Sequence, residues 1–93
     1  MEAPTPRARV RMYCTAACPY CQAADRLLAR KGVRDVERVR VDLHPERRSE
    51  MVKLSGRRTV PQIWIGDRHV GGSDELHDLE SSGKLDQLLA KAP

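Results

Sequence analysis

The chain has 93 residues, enough for one small domain with a single core and too few for two. Its net charge of +4 comes from 17 basic and 13 acidic residues mixed along the sequence, which favours anionic partners without forming a nucleic-acid tract. Tyr13, Tyr20 and Trp64 are too scattered to act as base-stacking platforms, no apolar run approaches the ~20 residues of a membrane span, and the first ten residues lack the apolar stretch of a signal peptide. The expectations are therefore no nucleic-acid partner, no membrane partner and a cytoplasmic location.

The chain opens on Glu2-Ala3-Pro4-Thr5-Pro6, and residues 1–8 read as a flexible lead into one domain over 9–91. Val10, Met12 and Cys14 then alternate with Arg9, Arg11 and Tyr13 at the period of a strand. Pro19 suits the first position of a helix, where its missing N–H is an orphan anyway. Ala23, Ala24, Leu27 and Leu28 continue at helical spacing until Lys31-Gly32, which makes Cys18 the N-cap. From Val36 to Asp42 the pattern alternates again, with Val39 and Val41 inward and Arg38 and Arg40 outward. Pro45 opens a second helix with Met51, Val52 and Leu54 as its apolar face and Gly56 as its stop. Gly66-Asp67 between Gln62-Ile63-Trp64-Ile65 and Arg68-His69-Val70 is a tight hairpin signal, and Trp64 in that alternation reads as core. The C-terminus is helical from about Asp74, broken at Ser82-Gly83, and resumes through Leu85, Leu88 and Leu89. The order βαβαββα joins a parallel βαβ unit to an antiparallel hairpin. It predicts an α/β fold with a four-stranded mixed sheet and helices on both faces. With no Phe in the chain, Val, Ile and Leu must fill the core.

The chemistry concentrates at Cys18-Pro19-Tyr20-Cys21. On a helical turn, residues three apart have Cβ atoms roughly 5–6 Å apart, close enough that a modest closure reaches disulfide distance. The unpaired N–H groups and partial positive charge of the helix N-terminus favour a thiolate at Cys18. Cys18 is then the nucleophile, and Cys21, one turn inside the helix, the resolving thiol, with exchange running through a mixed disulfide. A zinc site would need a second ligand pair, and Cys14, His44, His69 and His77 form none at suitable spacing, so no metal is expected. Cys14 reads as a small buried apolar residue, and the three histidines are assigned no catalytic role.

Two further segments fit this chemistry. Thr59-Val60-Pro61 stands before the third strand, where proline leaves the preceding backbone N–H and C=O free. If the Val60–Pro61 bond is cis, those groups can pair with an extended, peptide-like ligand. In Gly71-Gly72-Ser73-Asp74, glycines permit close backbone approach, the following helix N-terminus can hold a carboxylate, and Asp74 can pair with an ammonium group. Taken singly, a proline before a strand is an ordinary turn residue, and Gly-Gly-Ser-Asp is an ordinary turn followed by a cap.

The three motifs occur in order, and from about Val10 to Leu89 the sequence resembles a glutaredoxin of the dithiol class. The resemblance implies a thioredoxin-like fold, a cis bond before Pro61, and glutathione as co-substrate with no permanently bound cofactor. It implies a monomeric oxidoreductase acting on protein disulfides and glutathione mixed disulfides. Carried over by position, Cys18 attacks and Cys21 resolves. Tyr20 flanks the tripeptide, Val60 pairs with its cysteine beside Thr59 and Pro61, and Gly72, Ser73 and Asp74 hold the γ-glutamyl end. Arg48 matches the residue that reaches the glycine carboxylate. Thr15 stands where the family often has a lysine, leaving Arg58 or Arg48 to supply that charge, and Ser73 stands where many relatives have a cysteine. Two rival readings share the resemblance. One is a [2Fe–2S] carrier ligated by Cys18 and glutathione from two subunits, against which Pro19 argues. The other is a redoxin reduced by thioredoxin reductase.

Overall fold

The computed structural model describes residues 8–91; residues 1–7, which hold most of the lead expected to be flexible, and residues 92 and 93 lie outside the described residues. The elements run β1 (Val10–Cys14), α1 (Pro19–Arg30), β2 (Val36–Arg40), α2 (Pro45–Ser55), β3 (Gln62–Ile65), β4 (Arg68–Gly71), α3 (Ser73–Ser81) and α4 (Leu85–Ala90). They form one sheet in the order β2-β1-β3-β4. β1 pairs parallel with β2, as the α1 crossover requires, and antiparallel with β3, which returns through the Gly66-Asp67 turn to β4.

Both faces of the sheet are covered. Met12, Cys14, Ile63 and Ile65 point to one side, where Ala24, Leu27 and Leu28 of α1, Leu76 of α3 and Leu85, Leu88 and Leu89 of α4 close the larger core. Tyr13, Val39, Val41 and Met51 form the smaller core under α2, with Val52 and Trp64 packed against it. Val60, in the loop before β3, packs against both cores. Lys31 at the end of α1 binds Glu80 at 2.9 Å and Asp86 at 2.8 Å, tying that helix end to α3 and α4.

Two side chains depart from the expected pattern, Tyr13 and Leu54, and the second covered face explains the first. Tyr13, placed opposite the inward residues of β1, is fully buried because α2 covers that side; its hydroxyl donates to Glu50, and its ring meets Trp64 edge-on at 5.4 Å. Arg38 is outward and exposed, as expected, and on the α1 side it holds Asp25 with Nη2 at 2.7 Å and Nε at 3.1 Å. On α2 only Met51 is fully buried, whereas Leu54 is exposed. Glu46, Arg47, Arg48, Glu50 and Lys53 leave this helix a narrow contact centred on Met51.

Candidate functional site

Cys18 occupies the N-cap of α1 with extended backbone angles, φ −110° and ψ 110°. Its Sγ accepts the Cys21 backbone N–H at 3.3 Å, so sulfur performs the capping that a Ser or Asp oxygen usually performs. Pro19 supplies the helical φ of the first position without adding another orphan N–H. The loop that delivers Cys18 is held from outside the helix: Asp42 accepts the Ala16 N–H at 3.4 Å and is gripped by Arg40, whose guanidinium keeps the Asp42 carboxyl down at about 2.

The two thiols of the motif lie in different environments. Cys18 is at the edge of burial and Cys21 is fully inside. Burial first, and then the hydrogen bond with Cys18, push the Cys21 thiol up to about 12, against a Thr15 backbone N–H acting in the opposite direction. Cys21 therefore stays protonated at neutral pH. Cys14 is buried among the aliphatic side chains of the larger core, and desolvation raises its pKa too. All three cysteines are free thiols.

Across from Cys18, the Val60–Pro61 bond is cis and the Val60 carbonyl oxygen lies 3.9 Å from Cys18 Sγ. From there an open cleft runs over Tyr20, Thr59, Val60 and Pro61 to Gly72, Ser73 and Asp74 at the head of α3. Seven of the eight residues expected to bind ligand thus line one cleft. The eighth, Arg48, does not line it; it sits exposed on α2 with its Nη2 donating to the Arg58 carbonyl at 3.0 Å. Tyr20 is 65% exposed, which leaves its ring free over the cleft mouth.

Two lining residues complete the cleft, Arg57 and Glu75. Arg57 pairs with Glu75 Oε1 at 2.5 Å. That same oxygen accepts the Gly72 N–H at 2.8 Å, and this bond with the Arg57 pairing holds the Glu75 carboxyl below the usual range. Glu75 went unassigned, although its position three residues beyond the Gly72 N-cap is where an acidic side chain caps back onto the chain. The Gly72 N–H is occupied by Glu75, and the first-turn residues Ser73 and Asp74, whose backbone N–H groups have no partner within a helix, line the cleft.

A dithiol pair heading a helix, opposite a cis-proline loop on a mixed sheet of this strand order, makes the fold thioredoxin-like and the class a thiol-disulfide oxidoreductase. Comparison with known proteins narrows the class. The glutaredoxin family model matches residues 10–70. A glutaredoxin of Pseudomonas aeruginosa is 56% identical over 79 residues, covering 85% of this chain and 93% of that protein. Glutaredoxin 3 of Escherichia coli is 46% identical over 82 residues, covering 88% and 98%. Among solved structures, the solution structure of glutaredoxin from Brucella melitensis superposes with a TM-score of 0.79 at 48% identity, covering 95% of both chains. A buckwheat glutaredoxin–glutathione complex gives 0.81 at 26% identity, covering 88% of this chain and 76% of that one. The chain belongs to the glutaredoxin family. Among the described residues no helix is long and apolar enough to cross a membrane.

Proposed function

We propose that the protein is a glutathione-dependent oxidoreductase that removes glutathione from mixed disulfides and reduces protein disulfides, with Cys18 as nucleophile. The observation that carries this reading is the position of Cys18 Sγ, which accepts the Cys21 N–H at the head of α1 and lies 3.9 Å from the carbonyl oxygen of Val60, a residue lining the cleft. A thiolate there is met by an N–H donor and the helix dipole.

In the first step the Cys18 thiolate attacks the glutathione sulfur of a mixed disulfide R–S–S–G. The Cys18–S–SG bond forms, the old S–S bond breaks, and RS⁻ leaves and takes a proton. The Val60 backbone pairs with the backbone of the bound cysteine. The head of α3 holds the γ-glutamyl carboxylate, with Asp74 near its ammonium, and Arg57 stands closer to the cleft than Arg48 as the cation for the glycine carboxylate. A second glutathione thiolate then attacks the glutathione sulfur, releasing glutathione disulfide and restoring Cys18. In the dithiol route Cys21 instead gives up its proton and attacks Cys18 Sγ, expelling glutathione and closing the Cys18–Cys21 disulfide. The high Cys21 pKa separates the roles, because a thiol protonated at neutral pH is a poor first attacker.

The test is a coupled assay on a glutathionylated peptide with glutathione and its reductase. Cys18→Ser abolishes turnover and Cys21→Ser retains much of it; equal loss in both variants defeats the division of roles. Replacing the reducing system with thioredoxin reductase slows the wild type, and faster turnover there overturns glutathione as the reductant.

A further inference from the structure

Gln62 is a fully buried polar side chain in β3, directly behind the cleft and lining none of it. Its carboxamide is saturated. Nε2 donates to the Thr59 carbonyl at 3.0 Å and lies 3.3 Å from Thr59 Oγ1, and Oε1 is 2.8 Å from His69 Nε2 on β4. This pattern fixes the amide orientation and the histidine tautomer together. A flipped amide would set Oε1 against the Thr59 carbonyl, acceptor against acceptor, so Oε1 faces His69 and His69 Nε2 must carry a hydrogen. The His69 ring stacks on Trp64 with centroids 4.6 Å apart, which sets its plane.

The Thr59 carbonyl belongs to the same rigid peptide unit as the Val60 N–H. That peptide is trans, so its C=O and N–H point in opposite directions. Anchoring the carbonyl inward on Gln62 therefore turns the Val60 N–H outward. The three dipoles align head to tail, from the His69 N–H to the Gln62 amide to the Thr59–Val60 peptide, and each polarises the next.

We infer that His69 and Gln62 form a positioning relay that orients and strengthens the Val60 N–H as a donor to bound glutathione, without touching the ligand. This deepens the proposed function and rests on its assignment of Val60 as a ligand partner.

The experiment uses the Cys21→Ser protein, in which Cys18 thiolate and glutathione disulfide equilibrate with the Cys18–S–SG mixed disulfide and a glutathione thiolate. The equilibrium constant reads how well the bound glutathione is held. His69→Phe keeps a ring on Trp64 but removes the donor; His69→Gln removes the ring but places an amide N–H the same number of bonds from the backbone. The relay predicts a constant about 3- to 10-fold lower in His69→Phe, the size of one neutral hydrogen bond. His69→Gln stays within about 2-fold of the parent. In His69→Phe the Val60 amide proton also moves less on glutathionylation than in the parent, by NMR. Equal constants in all three proteins, equal losses in both variants, or loss only in His69→Gln overturn the relay. The parent spectrum tests the underlying assignment separately: a Val60 amide unmoved by glutathionylation refutes Val60 as a ligand partner whatever the variants do.

Discussion

Gly71→Ala is expected to be the most destabilising single-methyl change at the cleft, and its neighbour Gly72→Ala supplies the control. Gly71 has φ +116°, a region that L side chains rarely adopt, and holding alanine there costs about 1–3 kcal/mol. A Cβ on Gly71 would also collide with Glu75 Oε1, so the carboxylate must move. Moving it breaks the bond from the Gly72 N–H, which for a partly exposed carboxylate contributes about 1 kcal/mol. It also breaks the Arg57 pairing, which is exposed enough to contribute ~0–1 kcal/mol. The sum is roughly 2–5 kcal/mol, or a fall of roughly 10–40 °C in Tm for a domain of this size. Gly72 has φ −96°, and a Cβ there meets the Pro61 carbonyl at 3.4 Å and Glu75 Oε1 at 3.7 Å without displacing either, so Gly72→Ala costs under about 1 kcal/mol. Urea unfolding at pH 7, followed by fluorescence of the single tryptophan, Trp64, measures both. A second signature follows from linkage. The Glu75 carboxyl is depressed in the folded state, so its contribution is present above the ordinary glutamate pKa of ~4.3 and is lost as pH falls through the depressed value. Gly71→Ala should flatten that part of the acid limb. If Gly71→Ala is as stable as Gly72→Ala, or if its acid limb matches the wild type, the account of Glu75 is wrong.

Other expectations concern the buried groups. In Cys18→Ser, brief iodoacetamide treatment at pH 8 should leave Cys14 and Cys21 unlabelled by mass mapping, because burial raises both thiols; rapid labelling of Cys21 would contradict its role as a protected second thiol. Because these folded pKa values are raised, stability is full below the unfolded thiol pKa of ~8.5 and declines as pH rises towards about 12, where folded Cys21 ionises. The urea midpoint should fall between pH 8 and pH 11 in the wild type and fall less in a Cys14→Ala, Cys21→Ala double variant. Tyr13→Phe removes the donor to Glu50 and should cost about 1 kcal/mol in urea unfolding while leaving a spectrum of folded protein; no change would mean that Arg47 alone satisfies Glu50. Cys14→Ala should keep turnover within about 2-fold and lose on the order of 1 kcal/mol of packing. A Cys14–Cys18 disulfide found by mass mapping after mild oxidation would instead give Cys14 a chemical role.

The elements were legible because their signals are local. Pro19 and Pro45 open helices, Gly56 closes one, and Gly66-Asp67 turns the hairpin, so each boundary rests on a residue whose backbone limits are its own property. The Cys18 cap was readable for the same reason. Features that depend on what folds over what were not. Tyr13 alternates like an outward residue, and only the docking of α2 makes its side a second core. Arg48, Arg57 and Arg58 are equivalent in charge, and the turn after Gly56 decides that Arg57 reaches Glu75 while Arg48 rests on a backbone carbonyl. Gln62 in a run of Ile and Trp looked like one more strand position, since its partners lie three residues back and seven ahead.

Val60, the one side chain among the described residues that packs against both cores, gives the reactive edge two foundations. The loop facing Cys18 is braced from above by aliphatic residues of α1, α3 and α4 and from below by the Tyr13–Met51 cluster. A packing defect in either layer removes one brace and leaves the other, so core substitutions can accumulate on one side of the sheet before the peptide that faces the nucleophile loses its seat. The same arrangement implies that paired defects, one in each layer, should impair the site far more than their separate effects on stability would suggest.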